Sequence, residues 1–383
     1  MIIGIDASNI QGGGGLIHLI EILANVNIHE HNISRVVIWG GEKTLGQIYN
    51  YPWLKKVIPK GLNQGLFSRL IWQKFSLSNS AMNNKCDLIF APGGSVSCNF
   101  RPIVTMSQNM LPFEFRETAR YGISLTTFRL ILLRWLQSKS FKSANGVIFL
   151  TNYAKNQVTK VMGGLSTWST IIPHGLNSRF CLEPKKQHNK IEYNLKNPFR
   201  ILYVSIVDQY KHQWNVVEAV SKLRGEGSPI TLDLVGSSYP PAKKRLMKSI
   251  NQFDINNDWV KYHGSIPYLE LHNVYGNAHL GVFASSCENL PIILLETMAS
   301  GLPIACSNKG PMFEVLGDSG IYFDPTSPEE IYCALKKLIN NKQLRSEKSQ
   351  ASFHKVKQYS WDTCSFETFS FLKKVSVNYQ LKK

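Results

Sequence analysis

Two glutamates stand eight positions apart in Glu288-Asn-Leu-Pro-Ile-Ile-Leu-Leu-Glu296, with a proline between them where a helix can begin. Proline suits the first helical position because its missing N–H is one that the first turn leaves unbonded anyway. The free amides around Asn289 to Ile293 would then make a partly positive helix end suited to a phosphate. Glu288 would sit just above that end, and Glu296, five residues beyond Pro291, roughly 7–8 Å further along the axis at about 1.5 Å per residue. Two carboxylates bracketing an anion site at different depths match the layout of a sugar nucleotide: hydroxyls, diphosphate, hydroxyls. Taken alone, glutamates at this spacing describe a solvated helix face just as well.

The flanking residues favour the chemical reading. Ala278-His-Leu-Gly-Val-Phe-Ala-Ser-Ser286 reads as a buried strand feeding the segment, and Gly301-Leu-Pro-Ile-Ala-Cys306 as a helix stop followed by a second buried strand. A strand, loop, helix, strand order puts the glutamates at the carboxyl edge of a parallel sheet, where such folds bind ligands.

At these residues, and on through Ser307-Asn-Lys-Gly-Pro-Met-Phe-Glu-Val-Leu316 and Gly320-Ile-Tyr-Phe-Asp-Pro325, the chain resembles the retaining glycosyltransferases of family 4, the glycosyl transferases group 1. The resemblance is specific in the C-terminal half. It implies an α/β chain of the GT-B fold: two Rossmann-like, doubly wound parallel-sheet domains facing a cleft, with a C-terminal helix crossing back to the first domain. The boundaries implied are 1–178 for an acceptor-binding domain, 179–198 for a linker, 199–360 for a nucleotide-sugar-binding domain and 361–383 for the helix. It also implies the roles: Glu288 and Lys211 catalytic, with Glu296, Asn289, Leu290, Pro291, Gly13, Gly14 and Gly15 binding the donor.

Lys211 lies in Asp208-Gln-Tyr-Lys-His-Gln213, at a strand-to-helix corner from which a lysine can reach a phosphate as a compact charge. Relatives commonly add an arginine a few residues earlier; residues 205–210 contain none. Either Lys211 acts with backbone amides alone or a basic residue from elsewhere substitutes. Gln11-Gly-Gly-Gly-Gly15, between the first strand and first helix, lets a backbone approach a ligand without side-chain obstruction. It also reads as an ordinary tight turn. It is not a dinucleotide fingerprint, because Ile17 stands where Gly-x-Gly-x-x-Gly needs its last glycine.

On the acceptor side the resemblance implies His18, Gln108, Asn109 and Arg116. Many relatives carry a histidine near the reacting sugar where this chain has Gln108, which can donate or accept a hydrogen bond but cannot serve as acid or base at neutral pH. His18 is open between packing and substrate contact, and His174 in Pro173-His-Gly175 reads as structural.

These residues need a scaffold. Strand-like runs at 2–5, 36–39, 88–91, 103–106, 146–150 and 170–172 alternate with helical stretches, among them 16–26 and 125–141. A polar stretch at 181–190 interrupts the pattern, which restarts with strands at 200–207, 231–235, 260–263, 280–284, 303–306 and 321–323, and a helical tail from about 361 to 375. At 383 residues the chain exceeds one ordinary core, so two domains are expected.

Composition excludes several classes. No uncharged apolar run reaches membrane-spanning length, and the first residues lack signal-peptide character, so a cytoplasmic protein is expected. The seven cysteines lack Cys-x-x-Cys spacing and the ten histidines lack His-Glu-x-x-His spacing, so reduced thiols and no metal are expected; the resemblance calls for no cofactor beyond the nucleotide-sugar substrate. The net charge is +17, densest before residue 170, where 17 basic residues face 7 acidic ones. Between Arg101 and Lys142 the basic residues Arg116, Arg120, Arg129, Arg134 and Lys139 interleave with Phe113, Phe115, Tyr121, Phe128 and Trp135. Such a surface suits an anionic membrane leaflet or a lipid-diphosphate acceptor, and equally a merely soluble basic face. No nucleic-acid-binding signature accompanies it.

The expected function is retaining, metal-independent transfer of a sugar from a nucleoside-diphosphate donor, GDP-mannose or a UDP-sugar, to a lipid-linked or oligosaccharide acceptor. Its setting would be bacterial surface polysaccharide assembly, lipopolysaccharide O-antigen or capsule, on the inner face of the plasma membrane. A nucleotide-sugar epimerase of the same fold, and a non-catalytic basic membrane- or saccharide-binding protein, remain as alternatives.

Overall fold

The computed structural model describes residues 1–382; the last residue of the expected tail, Lys383, lies outside them. The chain forms two compact units. The first holds Met1–Thr118, Gly122–Gly175 and the segment from Tyr359 onward; the second holds Ala119–Tyr121 and Leu176–Gln358.

The first unit is built on seven strands, β1 (Ile2–Asp6), β2 (Arg35–Trp39), β3 (Leu54–Val57), β4 (Leu88–Ala91), β5 (Ile103–Met106), β6 (Gly146–Phe149) and β7 (Trp168–Ile171). They lie all parallel in the order β3-β2-β1-β4-β5-β6-β7. Strands covered by helices on both faces must be apolar throughout; accordingly Val36, Val37, Ile38, Leu88, Ile89 and Phe90 are fully buried. The sequence pattern did not announce β3. Its two central lysines break the apolar run, and it persists because it is an edge strand, where charge is tolerated and discourages further pairing. β7 begins two residues earlier than the pattern places it, since Trp168 pairs beside Gly146 on the opposite edge.

The last helix, Trp361–Gln380, belongs to this first unit. Ser360 caps its start by accepting from the Asp362 and Thr363 amides. It packs along the helix Gly13–Ala24, where Ser365 Oγ donates to the Ile22 carbonyl at 2.8 Å, and it buries Phe369 and Leu372 completely.

The second unit repeats the plan with β8 (Phe199–Val204), β9 (Ile230–Val235), β10 (Val260–Gly264), β11 (Leu280–Phe283), β12 (Ile304–Ser307) and β13 (Ile321–Phe323), parallel in the order β10-β9-β8-β11-β12-β13. The segment 179–198 begins inside one short helical turn, Ser178–Phe180, contains a second, Lys190–Glu192, and lies within this unit. The fully buried Arg345 holds it, donating to Gln187 Oε1 at 2.9 Å and to the His188 carbonyl, while also bonding the Leu338 and Ile339 carbonyls.

In each sheet the winding direction reverses once, between β1 and β4 and between β8 and β11. The loops leaving the carboxyl ends of those strands diverge, which opens a crevice there. Lys211 and Glu288 sit on the two loops that follow β8 and β11. Among the described residues no helix is long and apolar enough to cross a membrane.

Candidate active site

In the second unit the site grows from the loops after β8 and β11. The β8 loop turns back on itself, Lys211 N–H bonding the Asp208 carbonyl at 3.0 Å, and His212 takes a left-handed backbone (φ 51°) to start the helix Gln213–Gly225. Tyr203, fixed in β8, donates its hydroxyl to the Lys211 carbonyl at 2.8 Å. The two loops are tied together: the Ser286 amide donates to the Tyr210 carbonyl at 2.8 Å, and His212 Nε2 lies 2.9 Å from Ser286 Oγ.

That bracing aims Lys211 at Glu288. The Lys211 ammonium donates to Glu288 Oε1, with the two side chains only 5% and 15% exposed. It also lies over the Phe283 and Tyr210 rings, 5.4 and 5.0 Å from their centroids. The sequence reading assigned these two residues separately; the fold makes them an ion pair at the switch point.

Directly after Glu288 the chain enters the helix Ile292–Ala299. Pro291 occupies the cap position, one residue earlier than the first helical position expected for it, with Asn289, Leu290 and Pro291 all buried. The helix can lie close against β11 because of Gly281: a Cβ there would come 2.3 Å from Thr297 Cγ2. Its second turn carries Glu296, which is 2% exposed and accepts from the Tyr275 hydroxyl at 3.1 Å. Burial pushes the Glu296 carboxyl up to about 7, against the pull of the tyrosine hydrogen bonds and Arg179. Glu288 and Glu296 therefore stand on one segment in unlike settings, one ion-paired near the surface and one buried among tyrosines. Neither Tyr275 nor Tyr203 was legible as a site residue, since each acts through position in the fold and no spacing marks it.

The first unit carries the other expected residues. Gly13, Gly14 and Gly15 do not form a loop; they are the first turn of the helix Gly13–Ala24, which starts three residues before the expected 16. Gly13 takes a left-handed φ of 64°, and a Cβ on Gly15 would lie 3.1 Å from Gln108 Oε1. His18 is completely buried, stacked on His174 with ring centroids 4.5 Å apart and flanked by Trp361. Burial holds the His18 imidazole down to about 3, and His174 well below its usual range, so both rings are neutral. Gln108 Nε2 approaches His18 Nδ1 at 3.5 Å, so the fold gathers Gly15, Gln108 and His18. His18 supports that group from the core. Asn109 is exposed, its Oδ1 accepting from the Leu111 amide at 3.1 Å, and Arg116 is exposed on the short helix Phe115–Ala119. Among the described residues no three His, Cys, Asp or Glu side chains are gathered as metal ligands.

Residues 185–355 match the family model described as glycosyl transferases group 1. The O-antigen chain mannosyltransferase B of Escherichia coli is 26% identical over 231 residues, 60% of this chain and 58% of that one. A probable sucrose-phosphate synthase of rice (Oryza sativa subsp. japonica) is 30% identical over 142 residues, 35% of this chain and 13% of that one. This chain thus spans little more than half of the first relative and less of the other. Among solved structures, the sucrose-phosphate synthase of Thermosynechococcus elongatus superposes with a TM-score of 0.78 at 15% identity, covering 99% of this chain and all of that one. Anabaena HepE in complex with UDP-glucose superposes with a TM-score of 0.71 at 17% identity over 98% of this chain and 100% of that one. WaaG, a glycosyltransferase involved in lipopolysaccharide biosynthesis, does so with a TM-score of 0.68 at 14% identity, over 97% and 99%. Residues 185–355 of this chain are thus similar to the glycosyl transferases group 1, and its two parallel-sheet units have the GT-B fold.

Proposed function

We propose that this chain transfers a sugar, with retention at the anomeric carbon, from a nucleoside-diphosphate donor to a hydroxyl of a lipid-linked or oligosaccharide acceptor in surface polysaccharide assembly. The observation that carries the reading is the Lys211–Glu288 pair at the β8–β11 switch point, beside the start of the helix Ile292–Ala299. A donor diphosphate accepted there would draw the Lys211 ammonium and lie at the positive end of the helix, leaving Glu288 to receive sugar hydroxyls. Glu296 would hold the ribose.

In the transfer step the acceptor oxygen bonds the anomeric carbon as the bond from that carbon to the diphosphate breaks, and the departing phosphate oxygen takes the acceptor's proton. The protein positions the reactants and stabilises the developing charge, so in this reading it needs neither a nucleophile nor a metal. Structures of HepE with UDP and UDP-glucose support a uridine donor, and the mannosyltransferase relative supports mannose as the sugar. Work at the anionic inner face of the plasma membrane is supported by the basic, aromatic stretch of the first unit.

The test is a thermal-shift panel of GDP, UDP, ADP and their sugars, followed by transfer assays on Glu288→Ala. One nucleotide class should raise the melting temperature, and the variant should still bind it while losing turnover. Wild-type turnover in purified Glu288→Ala would refute the assignment.

A further inference from the structure

The first unit contains a cavity of about 430 Å³ that the donor chemistry leaves unused. It opens between the helices Leu66–Phe75 and Leu125–Ser143 and reaches down to Asn9, Gln11 and Gly12, just before the glycine turn. Its walls combine two chemistries. Leu70, Leu133 and Leu136 are apolar; Arg69 and Arg129 are cationic and come from the two facing helices.

Three features of this place point to a ligand. The two helices contain six basic residues between them and no acidic one, and among the described residues neither Arg69 nor Arg129 has an ion-pair partner. Arg69 makes one long bond, Nη1 to the Ser8 carbonyl at 3.4 Å, and its Nε is buried without a partner. Gln137 is 96% removed from solvent on the cavity wall, and its Oε1 has no partner either. A buried amide oxygen and a buried guanidinium N–H are costly to leave unbonded, so each calls for something that fills its valence. Asp6, the acid at the end of β1, is already engaged by Gln73 and the Ser8 amide.

The second part of the ligand is written on the outside. From the cavity mouth both helices present unpartnered apolar stripes: Leu66, Phe67, Ile71 and Phe75 on one, and Leu125, Phe128, Leu132 and Trp135 on the other. Phe67 is 81% exposed, Leu125 89% and Trp135 59%. The spacing of each stripe is helical, so each forms a continuous face. Lys74 and Lys139 lie over the Phe75 and Trp135 rings and add positive charge along the rims.

From cationic walls inside and apolar stripes leading out, we propose that this cavity holds the phosphate or diphosphate head of a lipid-linked acceptor, with the alkyl chain lying between the two helices. Arg69 and Arg129 pair with the phosphate oxygens, and the Gln137 Oε1 receives a hydroxyl of the first sugar. The proposal rests on the glycosyl-transfer reading and gives its acceptor a chemical class, a lipid phosphate.

The full chain tests it by calorimetry with three probes: a C15 isoprenyl diphosphate, inorganic pyrophosphate, and the C15 alcohol. The isoprenyl diphosphate should bind at least tenfold more tightly than either fragment. The double variant Arg69→Gln/Arg129→Gln should lose at least tenfold of that affinity while binding the donor nucleotide as the wild type does. Equal binding of diphosphate and alcohol, or wild-type affinity in the double variant, overturns the proposal. If phosphatidylglycerol vesicles compete for the cavity and their binding also falls in the double variant, the head bound is a bilayer phospholipid and the acceptor assignment is wrong. Failure here with nucleotide binding intact leaves the glycosyl-transfer reading standing; absence of any nucleotide binding removes that reading first.

Discussion

The Lys211 ammonium donates to Glu288 Oε1 across two loops that leave neighbouring strands, and the pair is nearly closed to solvent. Breaking such a pair on one side strands a charge where water cannot solvate it well, whereas removing both charges does not. Lys211→Met and Glu288→Gln should therefore each lower the melting temperature, and the double variant should recover part of that loss. The expected coupling is roughly 1–3 kcal/mol. Transfer activity should fall at least a hundredfold in each single variant and little further in the double. Stability effects that simply add in a double-mutant cycle would show that the two side chains act independently.

Glu296 offers a proton-linked signature of donor binding. Burial pushes its carboxyl up to about 7, so near neutral pH the ligand-free chain is a mixture of protonated and ionised forms. Ribose hydroxyls donating to Glu296 favour the ionised form. Nucleotide affinity should therefore rise between about pH 6 and pH 8, and binding should release up to one proton, read from calorimetry in two buffers of different ionisation enthalpy. Glu296→Gln should abolish the release. For folding the sign is opposite. The folded chain keeps a proton that the unfolded chain gives up, so this group takes stability away as pH rises from about 4.5 to 7 and takes no more above that. A pH-independent nucleotide affinity in the wild type would exclude Glu296 from the ribose contact.

Much of this was legible before the fold was known, for reasons that particular residues make plain. The strands at β8 and β11 are largely apolar runs, so their identity could be read directly, and with them Lys211 and Glu288 on the segments that follow, although β8 ends at Val204, three residues before the expected 207. Pairing of those two residues could not be read, because it depends on strand order: β8 and β11 are neighbours in the sheet but lie about eighty positions apart in the chain. The glycine run misled at its boundary. Glycine is a poor helix former, yet helix Gly13–Ala24 begins inside it, since Gly15 sits where any side chain would crowd Gln108. His18 was open because sequence marks a residue type and its helix, and only packing against His174 and Trp361 puts it in the core.

Four histidines should make the chain acid-labile. Burial lowers His18 and His212 to about 3 and His279 to about 4, and places His174 well below its usual range. The unfolded chain takes up protons below about pH 6.5 that these folded rings refuse, so their contribution is intact above that pH and is lost as pH falls toward 4. Each neutral ring held this way adds up to about 1.4 kcal/mol of destabilisation per pH unit in that window. Urea unfolding at pH 7.5, 6.0 and 5.0 should show the midpoint falling steeply. His18→Phe, which removes one titrating ring from the stack, should flatten the slope by about one proton; an unchanged slope would mean that His18 is charged in the folded state.

Gly175 is where the last helix of the first unit depends on a missing side chain. A Cβ there would lie 2.2 Å from the Trp361 amide nitrogen and 2.5 Å from the Ser360 carbonyl carbon, both backbone atoms at the capped start of helix Trp361–Gln380. Backbone cannot swing aside as a long side chain can, so Gly175→Ala must push the helix start away and open the His18, His174 and Trp361 stack beneath it. The expected loss is about 2–4 kcal/mol, a fall of about 5–10 °C in melting temperature for a unit of this size, together with faster proteolytic removal of the C-terminal helix. Gly65→Ala, at an exposed position with open space around the added methyl, is the control and should be neutral. A Gly175→Ala chain as stable and as protease-resistant as that control would mean that the helix does not depend on this close approach.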